Sequence, residues 1–155
     1  MILQPNASAN LRGLLVRLPF LIFPFKIKPM ETILIQERDE STLELLSAAL
    51  QTKGYKVCGL ADPNQNVLEM IGRYHPKLVL LDCWLNHYSG QRIAQWIKVH
   101  FPALPLVALG GDSEVSKHYR ELGFNGYLTK PFDLNLLNRV LRKQIHRRTR
   151  RPVLV

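Results

Sequence analysis

The chain has 155 residues and a formal net charge of +9, which comes from 21 lysine and arginine residues and 12 acidic residues. At this length we expect one domain with a full hydrophobic core, perhaps with tails. The 2 cysteines, Cys58 and Cys83, exclude a disulfide framework and a zinc-ligand pattern, so we expect reduced thiols and a cytoplasmic location.

The positive charge is concentrated at the two ends of the chain. Residues 1–29 hold 4 basic residues and residues 139–155 hold 7, and neither segment contains an acidic residue. All 12 acidic residues therefore lie between these segments, together with 10 basic residues. The central body is slightly acidic, so the net charge of the whole chain describes its ends and not its body.

Residues 1–29 do not resemble part of a fold. Their apolar stretch, LLVRLPFLIFPF, is interrupted by Arg17, Pro19 and Pro24, whereas a spanning helix needs roughly 20 consecutive apolar residues. The stretch also lacks the preceding charges and the following small-residue cleavage site of a signal peptide. We interpret the segment as a disordered leader or as the result of a start site assigned too early. A segment that binds a membrane surface or a partner is the alternative.

From Met30 onward, apolar runs of strand length alternate with helical patterns. The predicted elements, in chain order, are strand 32–36, helix 40–53, strand 55–60, helix 62–74, strand 77–82, helix 89–100, strand 104–110, helix 112–122, strand 125–128 and a helix from 134 to about 148. Five strands that alternate with five helices predict a doubly wound (βα)5 α/β fold, in which a parallel sheet is covered on both faces. We expect this domain to span residues 30–146, followed by a basic tail at 147–155.

Local signals predict where the helices begin and end. We expect Asp62 or Asn64 to cap the second helix and Asp133 to cap the fifth. Gly54 and Gly123 are expected to end the first and fourth helices. The periodicity of the third and fifth helices turns several apolar residues inward, namely Ile93, Trp96 and Ile97 in the third and Leu136, Leu137, Val140, Leu141 and Ile145 in the fifth.

In a doubly wound sheet, the ligand site lies at the carboxyl ends of the strands. The residues that follow the strands are therefore the candidates for function. They are Glu37, Arg38 and Asp39 after the first strand, Asp82, Cys83 and Trp84 at the end of the third, Gly110, Gly111 and Asp112 after the fourth, and Thr129 and Lys130 after the fifth.

Two of these strand ends resemble a known family. The stretch LVLLD at 78–82, the downstream Gly90 and the stretch GFNGYLTKPF at 123–132 together resemble the response-regulator receiver domain of two-component signalling, over about residues 31–146. The resemblance implies a flavodoxin-like strand order of 2-1-3-4-5. It also implies a protein that is a phosphorelay component and not an enzyme, and we expect it to act as a stand-alone receiver.

The resemblance implies a role for each strand-end residue. Asp82 would accept a phosphoryl group from a histidine kinase or a phosphotransfer protein, to give an aspartyl phosphate. Lys130 would pair with Asp82 and then with the phosphate, and Pro131 would follow a cis peptide bond that directs the lysine. A downstream protein would bind the face formed by the fourth helix, the fifth strand and the fifth helix.

The resemblance also implies a magnesium ion. Glu37, Asp82 and the backbone carbonyl of Trp84 would hold it, with Asp39 as a further candidate ligand. Mg²⁺ prefers oxygen ligands, and its charge would offset the negative charge that collects on a transferred phosphoryl group.

The chain departs from the family pattern at three places in the expected pocket. Arg38 stands where the family has a second acid, so we expect weakened Mg²⁺ binding. Gly110 stands where the family has a threonine or serine, whose hydroxyl bonds a phosphoryl oxygen and moves on activation. Glycine has no hydroxyl, so this switch cannot operate through residue 110, although Tyr127 keeps the aromatic residue that the family has in the fifth strand. The loop at 86–89 lacks the usual proline and acid.

Other functions remain as alternatives. The first is a pseudo-receiver that binds partners without phosphorylation. A nucleotide-binding enzyme of similar topology is disfavoured, because no glycine-rich loop follows the first strand. The basic tail could contact nucleic acid or an acidic partner, but it contains no motif that recognises a nucleic-acid sequence. We therefore expect neither nucleic acid nor a membrane as the partner.

Overall fold

The computed structural model describes residues 30–62, 66–83, 89–111 and 113–149, without the side chains of residues 89, 113, 114 and 147–149. Strands and helices alternate throughout. They are β1 (Thr32–Gln36), α1 (Glu40–Thr52), β2 (Lys56–Leu60), α2 (Val67–Tyr74), β3 (Leu78–Asp82), α3 (Ser89–His100), β4 (Leu106–Gly110), α4 (Ser113–His118), β5 (Gly126–Thr129) and α5 (Leu134–Thr149).

The five strands form one parallel sheet in the order β2-β1-β3-β4-β5, which confirms the predicted fold class and strand order. β1 lies between β2 and β3, so that Ile33 is paired with Val57 on one side and with Leu78 on the other. β3 and β4 are buried along nearly their whole length. Such continuous apolar strands are expected when helices cover both faces of a parallel sheet.

Successive residues of the strands contribute to two separate cores, because side chains alternate between the faces of a sheet. The core on one face contains Leu34, Val79 and Ile97. The core on the other face contains Ile33, Leu80 and Leu141. Each of these six residues has no exposed surface, so both faces of the sheet exclude water.

Two helices begin or end at places that the sequence did not predict. α2 begins at Val67, where Asn66 accepts a hydrogen bond from the N–H of Glu69, so the predicted caps are wrong: Asp62 precedes the helix, and Asn64 lies outside the described residues. α4 ends at His118, and turns occupy residues 119–123, so Gly123 does not end a helix. An N-cap needs only a short polar side chain, which several neighbouring residues offered here.

Two apolar side chains that were predicted to point inward are exposed. Trp96 in α3 retains 58% of its surface, and Leu136 in α5 retains 39%, whereas Ile97 and Leu137 are fully buried. Adjacent helix positions differ by about 100° in direction, so neighbours in an apolar run need not share a face. No helix within the described ranges is long and apolar enough to cross a membrane. The leader at 1–29 and residues 150–155 of the tail lie outside those ranges.

Candidate functional site

Three strands bring charged residues to one edge of the sheet. Glu37 directly follows β1, Asp82 is the last residue of β3, and Lys130 directly follows β5. The backbone fixes two of these positions, because the N–H of Glu37 donates to the carbonyl of Leu60, and the N–H of Lys130 donates to the carbonyl of Gly110. The site therefore lies at the carboxyl ends of parallel strands, where the sequence placed it.

Lys130 bridges the two carboxylates. Its Nζ atom lies 2.5 Å from Oε2 of Glu37 and 2.9 Å from Oδ1 of Asp82. The Glu37 side chain is 2% exposed, that of Asp82 is 10% exposed, and that of Lys130 is 31% exposed. Hydrogen bonds between charged groups are stronger than those between neutral groups, and burial strengthens them further.

The ionisation of Lys130 reflects two opposing effects. Burial by itself lowers the pKa of its ammonium group, because it disfavours the charged form. The hydrogen bonds to Glu37 and Asp82, with the charges of both carboxylates, outweigh burial and raise the pKa above its ordinary value. Lys130 is therefore a fixed cation at physiological pH.

Pro131 has the peptide geometry that the family resemblance implies, since the bond between Lys130 and Pro131 is cis. Tyr127, on β5, donates a hydrogen bond from its hydroxyl to the carbonyl oxygen of Gly110 at 2.8 Å. The Gly110 carbonyl thus accepts hydrogen bonds from both Tyr127 and the Lys130 N–H. The end of β4 is linked in this way to Tyr127 within β5 and to Lys130 directly after β5.

Asp39, the further candidate metal ligand, serves the helix that follows it. Its Oδ1 atom accepts a hydrogen bond from the N–H of Thr42 at 2.7 Å, which makes Asp39 the N-cap of α1. This hydrogen bond lowers the pKa of the Asp39 carboxyl group. The N–H of Asp39 donates to Oε1 of Glu37 at 3.2 Å, so both oxygens of Glu37 have partners.

Gly110 makes a backbone contact that the sequence did not reveal. A Cβ atom at this position would lie 2.4 Å from the carbonyl oxygen of Cys83, a separation that real structures essentially never show. Glycine therefore allows the chain after Asp82 to approach β4. The only sequence signal was a glycine at the end of a buried strand, which is typical of a close backbone approach.

Several sequence predictions fall on residues that follow β3 in the chain. Trp84, whose carbonyl was a candidate metal ligand, and residues 86–88 lie outside the described residues. Gly90, at the start of α3, is described and is closely packed, because a Cβ there would lie 3.1 Å from both the Asp82 carbonyl oxygen and the Sγ atom of Cys83. Gly90 was part of the family resemblance, but the sequence gave no reason for a glycine there. The close packing against Asp82 and Cys83 is the physical reason.

The family model described as the response regulator receiver domain matches residues 33–142 of the chain. The chain belongs to this family. Receiver domains are parts of two-component response regulators, in which an aspartate is the general site of phosphorylation. The match confirms the family that the strand-end motifs predicted.

Three relatives illustrate the breadth of the family. The probable transcriptional regulator ycf27 of Porphyridium aerugineum is 30% identical over 119 residues, which are 76% of this chain but 49% of ycf27. The polar-differentiation response regulator DivK of Brucella abortus is 25% identical over 67% of this chain and 87% of DivK. The crystal structure of the NtrX receiver domain from Brucella abortus is 25% identical with a TM-score of 0.67, over 74% of this chain and 98% of that domain.

The chain spans about half the length of ycf27, so the activity of that whole regulator does not transfer to this receiver by similarity alone. The part of the chain that these relatives share is the receiver domain. The family match, the NtrX structure and the strand order all identify this domain.

Receiver domains generally bind Mg²⁺ at the phosphorylation site. The donors in this receiver fit that ion poorly. Glu37 and Asp82 are already bridged by the Lys130 ammonium group, and the next position after Glu37 is the half-buried Arg38. Within the described ranges, no three histidine, cysteine, aspartate or glutamate side chains are grouped closely enough to hold a metal ion.

Proposed function

We propose that this receiver accepts a phosphoryl group on Asp82 and passes the signal on by protein–protein contact. The observation that supports this most directly is the position of Lys130, whose ammonium group lies 2.9 Å from Oδ1 of Asp82 at the carboxyl edge of the sheet. Family membership supplies the reaction class, since aspartate phosphorylation is general to receivers.

The pocket offers the groups that such a transfer requires. Asp82 provides a carboxylate oxygen that can attack phosphorus, and its 10% exposure leaves it accessible from the open edge of the sheet. Negative charge collects on the equatorial oxygens of the phosphoryl group during transfer, and a fixed cation stabilises that charge. Lys130 is such a cation, and its second bond to Glu37 holds it in place.

The proposed phosphodonor is a histidine kinase or a phosphotransfer protein, and the proposed output surface is the face formed by α4, β5 and α5. Leu134 and Leu136, at the start of α5, are exposed large apolar residues and support a protein contact on this helix. We include a cytoplasmic location in the proposal, because neither Cys58 nor Cys83 forms a disulfide bond. We also propose that Mg²⁺ binding is weak, for the charge reasons given above.

A phosphorylation-independent interaction module is the second candidate. It is favoured by the contact between Gly110 and Cys83, because the hydroxyl that normally reads the phosphoryl group is missing and its space is closed. The Tyr127 hydroxyl is bonded to the Gly110 carbonyl without any phosphoryl group. In that case the face of α4, β5 and α5 would bind its partner constitutively.

Intact-mass measurement separates the two candidates. The purified chain is incubated with phosphoramidate in the presence of MgCl₂, and an Asp82→Asn variant is the control. We expect a phosphate-sized mass gain in the wild-type protein and none in the variant. A folded wild-type protein that gains no mass would contradict phosphorylation at Asp82 and would favour the constitutive module.

A further inference from the structure

A second cleft lies at the opposite end of the sheet from Asp82. It has a volume of about 340 Å³ and is formed by the residues before β1, the turn between α1 and β2, and one face of α5. Glu31 and Glu37 lie directly before and after β1, and at about 3.3 Å per residue they are roughly 20 Å apart. None of the described residues that line this cleft belongs to the site around Asp82, so phosphoryl transfer does not explain it.

Positive charge prevails along the lining of this cleft. α5 contributes Asn138, Arg142 and His146, and their spacing of four residues places them on one face of the helix. Lys53 lines the cleft from the turn between α1 and β2. The fixed charges of the lining are therefore two cations, Lys53 and Arg142, and one carboxylate, Glu31. Such a lining favours an anionic ligand.

The side chain of Tyr55 adds a buried donor to the same lining. Tyr55 is 7% exposed, and its ring packs into the core that contains Leu50 and Ile145. No residue within the described ranges forms a hydrogen bond with its hydroxyl group, although buried polar side-chain atoms are normally hydrogen-bonded. Those ranges contain no fully enclosed side-chain oxygen atom without a partner, so the hydroxyl opens into the cleft.

The charges of Glu31 and Arg142 both act on the Tyr55 hydroxyl. Burial raises the pKa of this hydroxyl, Glu31 raises it further and Arg142 lowers it. The pKa remains above its ordinary value, so Tyr55 is a neutral hydrogen-bond donor at physiological pH. Both charges therefore lie near the hydroxyl, within one small cleft.

We propose that this cleft binds a small organic anion, through a carboxylate or phosphate group held by Arg142 and the Tyr55 hydroxyl. A guanidinium group suits both oxyanions, because it donates two parallel hydrogen bonds. The volume of about 340 Å³ is within the usual range of about 300–1,000 Å³ for small-molecule pockets, so a ligand larger than the oxyanion itself fits. The proposal goes beyond the function of Asp82 and does not depend on it.

The test uses two anions as probes: citrate, which carries carboxylates, and glycerol 2-phosphate, which is a phosphate monoester. Each is titrated into the isotope-labelled full chain, and the amide chemical shifts are followed by NMR. Sodium chloride at the same ionic strength is the control for screening. We expect saturable shifts at Gly54, Tyr55 and Arg142 with at least one probe at millimolar concentrations. The probe that binds more tightly identifies which of the two oxyanions the cleft prefers.

Three variants test the residues of the cleft. Arg142→Gln should weaken binding at least about fivefold, because it removes a charge-assisted hydrogen-bond donor. Tyr55→Phe keeps the ring in the core and removes only the hydroxyl, so we expect binding to weaken by about two- to tenfold. Arg139→Gln is the matched control and should bind like wild type, since Arg139 is an exposed cation on the same helix that does not line the cleft.

Each outcome decides for or against the cleft. Saturable binding that Arg142→Gln and Tyr55→Phe weaken, and that Arg139→Gln does not, supports the proposal. Shifts that fail to saturate, or that sodium chloride reproduces, would overturn it. Saturable shifts confined to the neighbourhood of Lys130 would place the anion in the Asp82 pocket and would also overturn it. Equal losses for Arg142→Gln and Arg139→Gln would show that net charge, and not the cleft, attracts the anion.

Discussion

The Nζ atom of Lys130 lies 2.5 Å from Oε2 of Glu37, although the two residues are 93 positions apart in the sequence. The Glu37 side chain is 2% exposed, so its charge has little water around it and depends on Lys130. A buried ion pair of this kind costs desolvation to form, but the loss of one partner leaves an uncompensated buried charge. The pair therefore links the stability of the domain to the chemistry of its pocket.

Removal of the Lys130 charge should destabilise the fold. Lys130→Met leaves Glu37 buried without its cation, and we expect the free energy of unfolding to fall by about 2 kcal/mol, since partial exposure of Lys130 moderates the full penalty. Urea unfolding measures the change. Adding Glu37→Gln to the Lys130→Met variant should restore part of the loss, and a single variant as stable as wild type would contradict the role of the pair.

The same pair predicts a pH dependence. The pKa of Lys130 is raised in the folded state, so the pair contributes stability fully below the unfolded lysine pKa of about 10.4 and loses it as pH rises through the folded pKa. The stability difference between wild type and Lys130→Met should stay constant from pH 7 to pH 9 and shrink at higher pH. Urea unfolding at these pH values measures it, and a difference that shrinks below pH 9 would show that Lys130 is not the group responsible.

Gly110 should tolerate no side chain, because a Cβ there would lie 2.4 Å from the Cys83 carbonyl oxygen. Gly110→Ala is expected to lower the free energy of unfolding by about 1–3 kcal/mol, as is usual for overpacking. Gly111→Ala is the matched control, since no heavy atom beyond Gly111 and its two chain neighbours lies within 4 Å of its Cβ position. Thermal unfolding compares the two variants, and equal effects would refute the close approach.

There is no space for a Cβ atom at Gly110, where the family has a threonine or serine. We therefore expect that a single substitution cannot restore the hydroxyl at this position. Gly110→Thr should be at least as unstable as Gly110→Ala, because its Cβ meets the same backbone oxygen. A Gly110→Thr variant with wild-type stability would indicate that the Cys83 carbonyl moves away easily.

Replacement of Arg38 by an acid should raise the affinity for Mg²⁺. Arg38→Asp removes a cation beside Glu37 and adds a carboxylate, so we expect an increase of at least about tenfold from the Coulomb energies of neighbouring charges. Calorimetric titration measures the affinity. Arg92→Asp makes the same charge change at an exposed position on α3 and is the control. Identical affinities for Arg38→Asp and wild type would show that Arg38 does not oppose the metal.

Local patterns predicted most of the fold. The apolar runs placed all five strands. Both ends of β1 and the carboxyl ends of β2, β3 and β4 match the prediction, because short buried strands are bounded by polar residues and turns. The helix ends were less certain, since Asp62, Asn64 and Asn66 offered equivalent caps for α2. Trp96 was placed on the wrong face, because periodicity alone does not define the edge of a helix face.

The sequence by itself determined the alternation of strands and helices, the family, and the residues delivered to the carboxyl edge of the sheet. These follow from interactions between near neighbours, which each segment encodes on its own. Only the tertiary structure decided that Lys130 bridges Glu37 and Asp82 and that Gly110 lies against the Cys83 carbonyl. These contacts join residues from different strands or depend on side-chain direction, so strand pairing and packing fix them rather than the local pattern.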